Sequence, residues 1–278
     1  IIAGAETPPE LAYRVDVYSL GCLAFELLTG TPPFDGDSPV ERMMAHILYD
    51  APRPSARRRG LTTDFDEVVL ATGVTPRIPD VPGIDHPKVV TYLDVLRDHV
   101  SVGSTVAIMG AGGIGFDVAE YLTQSGPSAT VTPERFYEEW GIDSSYSERG
   151  GLTEVQLERP AREVTLLQRK HSKVGSGLGK TTGWIHRTEL KKRNVRMVPG
   201  VNYERIDDGG LHMTIDDQPV VLDVETIVVC TGQEPQRELL DGLEAAGVSV
   251  SVIGGADVAA ELDAKRAIKQ GTEVAASL

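Results

Sequence analysis

The sequence predicts an α/β fold in which one Rossmann-like α/β domain is inserted into a second, incomplete α/β domain, with a short helical segment before both. Three observations predict it. A strand runs directly into a glycine-rich turn and then a helix between Ser104 and Gly126. Two similar strand–Thr–Gly segments, which end at Gly73 and Gly232, flank that unit in the chain. Upstream of about residue 61, apolar residues recur at helical spacing instead.

The composition is that of a globular protein, and it excludes several classes of function. The 278 residues are 41% hydrophobic and carry a formal net charge of -14, which argues against general affinity for nucleic acid or for an anionic membrane surface. No run approaches 18 uncharged apolar residues, so we expect no membrane span and a cytoplasmic protein. The chain begins at Ile1 without a signal peptide, which is typical of a piece of a longer reading frame. Two cysteines, Cys22 and Cys230, predict buried thiols, and no metal site is expected.

The first 61 residues predict two helices. The stretch from Arg14 to Gly30 has apolar residues at helical spacing, and Gly30 is a stop signal. A second helix is predicted from Ser38, with Ser38 as its cap and Pro39 at its first position. Because a lone core of this size is marginal, we expect this segment to be poorly packed.

The central glycine-rich unit predicts a dinucleotide site. A strand over 106–109 leads into Gly110-x-Gly112-x-x-Gly115, and an amphipathic helix follows. In this context Gly110 permits the tight turn, Gly112 lets the backbone approach a pyrophosphate, and Gly115 lets the helix pack on the strand. The helix N-terminus then faces the anion. The alternative is a tight strand–helix turn that binds nothing.

The next β-like run predicts which coenzyme is bound. It spans Glu163 to Arg169 and ends in Gln168-Arg169-Lys170, where an acidic residue would favour NAD. Two cations suit a 2′-phosphate instead, so the sequence predicts NADPH. This strand lies farther along the chain from the glycine-rich turn than the second strand of such a unit usually does. The extra length predicts an insertion over about 125–162. The aromatic residues of this insertion could form a lid. The preferred interpretation is that they anchor the inserted segment to the surface of the domain.

The stretch "VGSGLGKTTGW" superficially suggests a triphosphate-binding loop. That motif requires a glycine where Val174 stands, and no strand leads into it. We therefore expect a loop beside the coenzyme, with Lys180 near a phosphate.

Residues 62–278 resemble the C-terminal half of bacterial NADPH-dependent 2,4-dienoyl-CoA reductase, an enzyme class of fatty acid β-oxidation. The matching blocks are "DEVVLATGVTPRIPDVPGIDHPKVVTYLDVL", "VAIMGAGGIGFDVAEYL", "FYEEWGID", "LLQRKHSKVGSGLGKTTGWIHRTEL" and "IGGADVAAELDAKRAIKQG". The resemblance implies a flavoprotein oxidoreductase in which hydride passes from NADPH to FAD. It also implies a partner barrel domain with FMN and an iron–sulfur cluster, which is not among these residues. No catalytic residue is assigned within the chain.

The resemblance also implies the residues that bind each coenzyme. Those assigned to NADPH are Gly110, Gly112, Gly113, Gly115, Arg169 and Lys170. Those assigned to the flavin side or its neighbouring Thr–Gly loop are Ala71, Thr72, Gly73, Gly232, Gly255, Asp257 and Arg266. The helix that opens near Asp263 is expected to point its positive end at the flavin. Because the first glycine-rich turn of the FAD domain is not found upstream of residue 66, we expect FAD binding to be weak or lost.

Residues 1–61 resemble the C-terminal lobe of bacterial Ser/Thr protein kinases, on the block "DVYSLGCLAFELLTGTPPFDGDSP". The motifs that perform phosphoryl transfer in that family are not found in this sequence. The resemblances divide the chain into a kinase-like segment (1–61), a first part of the FAD domain (62–98), an NADPH-binding domain (99–236) and a second part of the FAD domain (237–278). Two alternatives stay open, namely a kinase-derived regulatory module and an accidental join near Arg57–Gly60.

Overall fold

A computed structural model describes residues 12–36, 38–59, 67–260 and 264–277. The chain divides into two compact units, one of Ile1–Val68 with Leu243–Val250 and one of Val69–Gly242 with Ser251–Leu278. The helices are α1 (Ala12–Thr29), α2 (Pro39–Leu48), α3 (Pro54–Arg57), α4 (Tyr92–Leu96), α5 (Gly113–Thr123), α6 (Pro133–Trp140), α7 (Gly183–Lys192), α8 (Leu240–Ala245) and α9 (Ala264–Ser277). The strands are β1 (Glu67–Leu70), β2 (Val74–Pro76), β3 (Val89–Thr91), β4 (Thr105–Met109), β5 (Glu163–Leu167), β6 (Arg196–Val198), β7 (Val201–Asp207), β8 (Gly210–Ile215), β9 (Gln218–Leu222), β10 (Thr226–Val229), β11 (Gln233–Pro235) and β12 (Ser249–Val252).

The first unit contains the two predicted helices. The cap of α2 is confirmed, because the Ser38 side chain accepts a hydrogen bond from the Glu41 N–H and Pro39 occupies the first turn. Large apolar side chains of helix α1 are exposed to solvent, with Leu27 76% exposed and Leu23 53% exposed. This exposure agrees with the expectation of a poorly packed segment. None of the helices in the described part of the chain is long and apolar enough to span a bilayer.

The second unit is built on a five-stranded parallel sheet with the order β3-β10-β4-β5-β6. The predicted strands at 106–109 and 163–169 are its two inner neighbours β4 and β5, and Met109 pairs with Leu167. From β4 the chain moves outward to β5 and β6, and then returns to β10 on the other side of β4. The strand order therefore reverses between β4 and β10. Strand β3 joins this sheet from the segment that the sequence assigned to the FAD domain.

Two layers cover this sheet, which explains why its strands are continuously apolar. On β4, Val106 and Ile108 pack with α5 and α7 in one hydrophobic core, while Ala107 and Met109 pack into a second core. The alternation follows the two-residue period of a strand. The prediction of an α/β fold with a Rossmann-like sheet is confirmed.

The second core is closed by an antiparallel meander, β7-β8-β9, which the hydrophobic pattern alone does not predict. Two local signals were present. Asp208-Gly209 separates the paired residues Asp207 and Gly210, and an Asp-Gly pair is a strong hairpin signal. Asp216 and Asp217 both have positive φ, as the two central residues of a type I′ turn require.

The insertion leaves after α5 and returns at β5, as predicted. Its helix α6 is held by Trp140, whose ring lies 3.6 Å from the Lys192 Nζ of α7. The nearly buried Glu139 accepts a hydrogen bond from the Arg135 Nε at 2.9 Å. These contacts favour the interpretation of an aromatic anchor over that of a lid.

The two strand–Thr–Gly segments are joined to each other. The residues that follow Gly73 form β2, those that follow Gly232 form β11, and β2 and β11 pair in an antiparallel ribbon. The Ile253 N–H donates to the Leu70 carbonyl oxygen at 3.0 Å, which places the Gly254–Asp257 turn beside the end of β1. The ribbon links the loop after β10 with the loop after β1.

Candidate functional site

A crevice of about 830 Å³ opens at the carboxyl ends of the parallel strands, where the strand order reverses. In open α/β sheets this switch point is where ligands bind. The crevice is lined by the residues that follow β4, β5 and β10, namely 110–114, 168–170 and 230–233. Of the predicted site residues, Gly110, Gly112, Gly113, Arg169, Lys170 and Gly232 line it.

The glycines of the turn differ in what requires them. A Cβ on Gly110 would lie 2.2 Å from the Cys230 carbonyl oxygen, and its φ is +112°. A Cβ on Gly115 would lie 2.0 Å from the Gly110 carbonyl oxygen, so Gly115 is buried where helix and turn touch and does not line the crevice. A Cβ on Gly112 or Gly113 meets nothing within 4 Å. The protein itself therefore leaves open space at Gly112, in front of the first N–H groups of α5, and that space suits an anion.

The two cations line the same crevice as the glycine-rich turn. Arg169 and Lys170 are exposed and follow β5 closely, and the Gln168 N–H between them and the strand donates to the Val198 carbonyl oxygen of β6. The Gln168 side chain donates to the carbonyl oxygens of Lys170 (2.9 Å) and Ser172 (2.7 Å), which holds this turn in shape. Parallel pairing of β4 and β5 brings the cations and the glycine-rich turn together.

The loop that was expected beside the coenzyme lines the crevice as well. Ser176, Gly177 and Leu178 belong to the loop that resembled a phosphate-binding motif, whereas Lys180 is not among the lining residues. Arg187 of α7 holds that loop by donating to the Gly175 carbonyl oxygen at 2.7 Å. The lining also includes Arg77, Tyr92, Tyr203 and Gln233, which the sequence did not single out.

Arg77 fixes the loop after β10. Its guanidinium donates to the Thr231 carbonyl oxygen, and the Thr231 hydroxyl donates back to the Arg77 carbonyl oxygen at 2.9 Å. The sequence signal for this contact was the repeated Thr–Gly motif, together with the arginine that follows its first copy. Gln233 donates to the Tyr92 hydroxyl at 3.2 Å and so ties this loop to α4.

Cys230 is the buried thiol at the edge of the crevice, and Cys22 is only partly buried. Burial raises the pKa of Cys230 to about 12. The reactive thiolate is therefore scarce near neutral pH, and this thiol is not a nucleophile there.

We expect iodoacetamide at pH 8 to modify Cys230 at least about 100-fold more slowly in the folded protein than in urea, because the thiolate fraction falls about tenfold for each unit by which the pKa rises. Mass spectrometry of a Cys22→Ser variant measures this rate at one site. Equal rates in the folded and unfolded protein would show that Cys230 is neither buried nor shifted in pKa.

Apart from Gly232, the residues predicted for the flavin side or its neighbouring Thr–Gly loop do not line this crevice, and they gather elsewhere. The Thr72 hydroxyl donates to the Gln236 carbonyl oxygen, and the Gln236 N–H donates to the Gly73 carbonyl oxygen at 3.0 Å. The Arg237 guanidinium donates to the carbonyl oxygens of Ala256 and Asp257. The predicted residues in this second cluster are Ala71, Thr72, Gly73, Gly255, Asp257 and Arg266.

Two of these side chains have partners within the cluster. The Asp257 carboxylate accepts a hydrogen bond from the Gln270 side chain at 2.6 Å. Arg266 of α9 donates to the carbonyl oxygens of Val258 and Ala260, so it braces the loop before α9. Asp263, expected at the start of that helix, lies outside the described residues. Among the residues that the structure describes, no group of three or more His, Cys, Asp or Glu side chains could hold a metal ion.

Comparison with known proteins places the two parts of the chain differently. Over 57 residues the chain is 58% identical to the serine/threonine-protein kinase PknB of Mycobacterium tuberculosis, covering 20% of this chain and 9% of that protein. Over 196 residues the chain is 27% identical to a metal reductase of Desulforamulus reducens, covering 69% of this chain and 28% of that protein. The chain therefore spans less than a third of the length of either relative.

Solved structures of other proteins share this fold over about three quarters of the chain. A 2-naphthoyl-CoA reductase in complex with 2-naphthoyl-CoA superposes with a TM-score of 0.57 at 21% identity, over 77% of this chain and 27% of that chain. The 6-hydroxypseudooxynicotine amine oxidase of Pseudomonas geniculata N1 superposes with a TM-score of 0.56 at 19% identity, over 75% and 28%. At these identities the likeness shows the fold alone.

The family is shown by sequence. The profile of the pyridine nucleotide-disulphide oxidoreductases matches residues 44–267, which is most of the chain and includes the crevice, the meander and the second cluster. The glycine-rich turn, the parallel sheet and the switch-point crevice are the features that this match covers. The chain belongs to the pyridine nucleotide-disulphide oxidoreductase family.

Proposed function

We propose that this chain is the NADPH-binding part of a flavoprotein oxidoreductase of the 2,4-dienoyl-CoA reductase type. The observation that supports this most is the single crevice that combines open space at Gly112 with the cations Arg169 and Lys170. A pyrophosphate requires the first feature, and a 2′-phosphate requires the second.

The preference for NADPH over NADH rests on charge. An acidic residue after β5 would accept hydrogen bonds from the ribose hydroxyls of NADH and repel a 2′-phosphate. Here that position carries Gln168, and the two residues after it are cationic and exposed to the crevice. Arg169 can hold a phosphate through two parallel hydrogen bonds, and Lys170 adds a second positive charge.

The chain's own residues would orient the coenzyme. NADPH supplies a hydride and a flavin accepts it when both are bound. The N–H groups at the start of α5 would hold the pyrophosphate, and the loop after β10 would form the wall on the nicotinamide side. We assign no proton transfer to the chain.

A flavin bound at the second cluster would be connected to the crevice through the short β2–β11 ribbon. Gln233 lines the crevice, and its strand β11 pairs with β2. Just after β11, Gln236 is hydrogen-bonded to Thr72 and Gly73 of the second cluster. This structural continuity supports hydride transfer from NADPH in the crevice to a flavin at the second cluster. The chain has one Gly-x-Gly-x-x-Gly turn, at residues 110–115, so the described residues offer a flavin only part of a binding site.

Reduction of a carbon–carbon double bond in an unsaturated acyl-CoA is the finer part of the proposal. It rests on the sequence blocks that resemble the dienoyl-CoA reductases, and one structural neighbour binds 2-naphthoyl-CoA. Because the chain spans about a quarter of that neighbour, substrate contacts are assigned to other parts of such a protein.

Titration of the purified chain with NADPH, followed by coenzyme fluorescence, tests the proposal. We expect saturable binding of NADPH and weaker binding of NADH. Added FAD should give a bound flavin absorbance that NADPH bleaches under anaerobic conditions if the second cluster holds the flavin. Failure to bind NADPH at millimolar concentration would contradict the proposal, and binding without flavin reduction would limit it to coenzyme recognition.

A phosphotransfer function is not proposed for the kinase-like segment. Its similarity covers 57 residues, and the motifs of phosphoryl transfer are not found in the sequence. Incorporation of labelled phosphate from ATP by the purified chain would overturn this assignment.

A further inference from the structure

A buried phenol at the base of the crevice lacks a partner. Among the residues that the structure describes, the Tyr203 hydroxyl is one of two buried side-chain polar atoms without a hydrogen bond. Leaving a buried hydroxyl unpaired costs free energy, and such groups call for an explanation. Tyr203 also lines the crevice.

The surroundings of this phenol are those of the coenzyme site. Arg169, the Gly110 backbone and Cys230 all lie close enough to this phenol to influence its pKa. The Gly110 N–H is already engaged, because it donates to the Leu167 carbonyl oxygen at 3.0 Å. Burial raises the pKa of the phenol well above its usual range, so it stays a neutral group that can donate a hydrogen bond.

The backbone directs Tyr203 to this place. Strand β7 has a register shift between Tyr203, which pairs with Met213, and Arg205, which pairs with His212. A bulge of this kind re-aims a side chain and is common next to functional sites. The ring packs against the core beneath β4 and β5, which fixes the hydroxyl at the ends of those strands.

We infer that Tyr203 is a further coenzyme-binding residue, whose hydroxyl donates a hydrogen bond to an oxygen of the ribose–pyrophosphate part of NADPH beside Gly110. This inference rests on the proposed function. That part of the coenzyme is common to NADPH and NADH, whereas the 2′-phosphate is not. Tyr203 would therefore contribute affinity without contributing the preference for NADPH.

The Tyr203→Phe variant tests this role, with Tyr121→Phe as the matched control because Tyr121 is exposed on α5 and does not line the crevice. We expect Tyr203→Phe to weaken NADPH and NADH equally, by about 3- to 10-fold, which is the usual effect of one lost hydrogen bond. Without coenzyme, its thermal midpoint should equal or exceed that of the wild type, because an unpaired buried hydroxyl has been removed. The control should change neither quantity.

Several outcomes would overturn the inference. Affinities within twofold of the wild type would show that the hydroxyl does not touch the coenzyme. A loss confined to NADPH would place the contact at the 2′-phosphate instead. A thermal midpoint lowered by several degrees without coenzyme would show that the hydroxyl has a partner within the protein. If the wild type binds neither coenzyme, the proposed function fails with the inference, and that result is distinct from the other three.

Discussion

Arg169→Ala is expected to raise the dissociation constant for NADPH by about 10- to 150-fold, which corresponds to the roughly 1.5–3 kcal/mol of a hydrogen bond to a charged group. The dissociation constant for NADH should change by less than about twofold, since NADH has no 2′-phosphate. The reason is geometric. Arg169 follows β5 and lines the same crevice as the glycine-rich turn. Its neighbour Lys170 also lines that crevice.

Fluorescence titration of both coenzymes measures the effect, with Arg159→Ala as the matched control. Arg159 is exposed and lies before β5, at the opposite end of the strand from the crevice. Arg169→Lys should restore part of the NADPH affinity, because it keeps the charge but not the two-pronged geometry. Raising the salt concentration should narrow the preference for NADPH. An equal loss for both coenzymes would remove Arg169 from the 2′-phosphate site.

Alanine at Gly112 and alanine at Gly115 are expected to have opposite consequences. At Gly115 the new Cβ would lie 2.0 Å from the Gly110 carbonyl oxygen, so α5 must move away from the turn. We expect a loss of at least about 1–3 kcal/mol in the free energy of unfolding. At Gly112 the Cβ meets nothing within 4 Å and φ is -81°, so the stability should change by less than about 1 kcal/mol. The methyl group would instead fill the space proposed for the pyrophosphate, and the affinity for both coenzymes should fall by about tenfold or more.

Urea unfolding and coenzyme titration of the two variants separate these effects. Gly242→Ala is a suitable control, because a Cβ there also meets nothing within 4 Å and the residue does not line the crevice. It should lower neither stability nor affinity. If Gly112→Ala bound NADPH normally, the turn would be a structural feature without a ligand, which is the alternative that the motif left open.

The sequence could predict those parts of the fold that depend on neighbouring residues. The strand, turn and helix at 105–123 follow one another in the chain, and their apolar spacing and glycines are local signals. The cap of α2 at Ser38 is local for the same reason. The meander escaped prediction although its Asp-Gly turn was visible, because short strands of mixed polarity resemble a loop.

The composition of the crevice was predictable only in part. The residues after β4 and β5 could be identified from the motif and from the missing acid at position 168. Arg77, Tyr92 and Tyr203 carry no motif that marks them as neighbours of Gly110, and the chain brings them there from other strands and loops. The flavin-side residues likewise form a cluster apart from the crevice, held together by Gln236 and Arg237.

By itself, therefore, the sequence determined that a glycine-rich turn joins a buried strand to a helix and that two cations end the next strand. Only the tertiary structure decided that the cations and the turn line one crevice, that a meander closes the far side of the sheet, and that the Tyr203 hydroxyl remains unpaired at the ends of β4 and β5. The physical reason is that turns and helix termini are specified by residues a few positions apart. The neighbours of a strand are instead chosen by which apolar faces can be buried together across the whole unit.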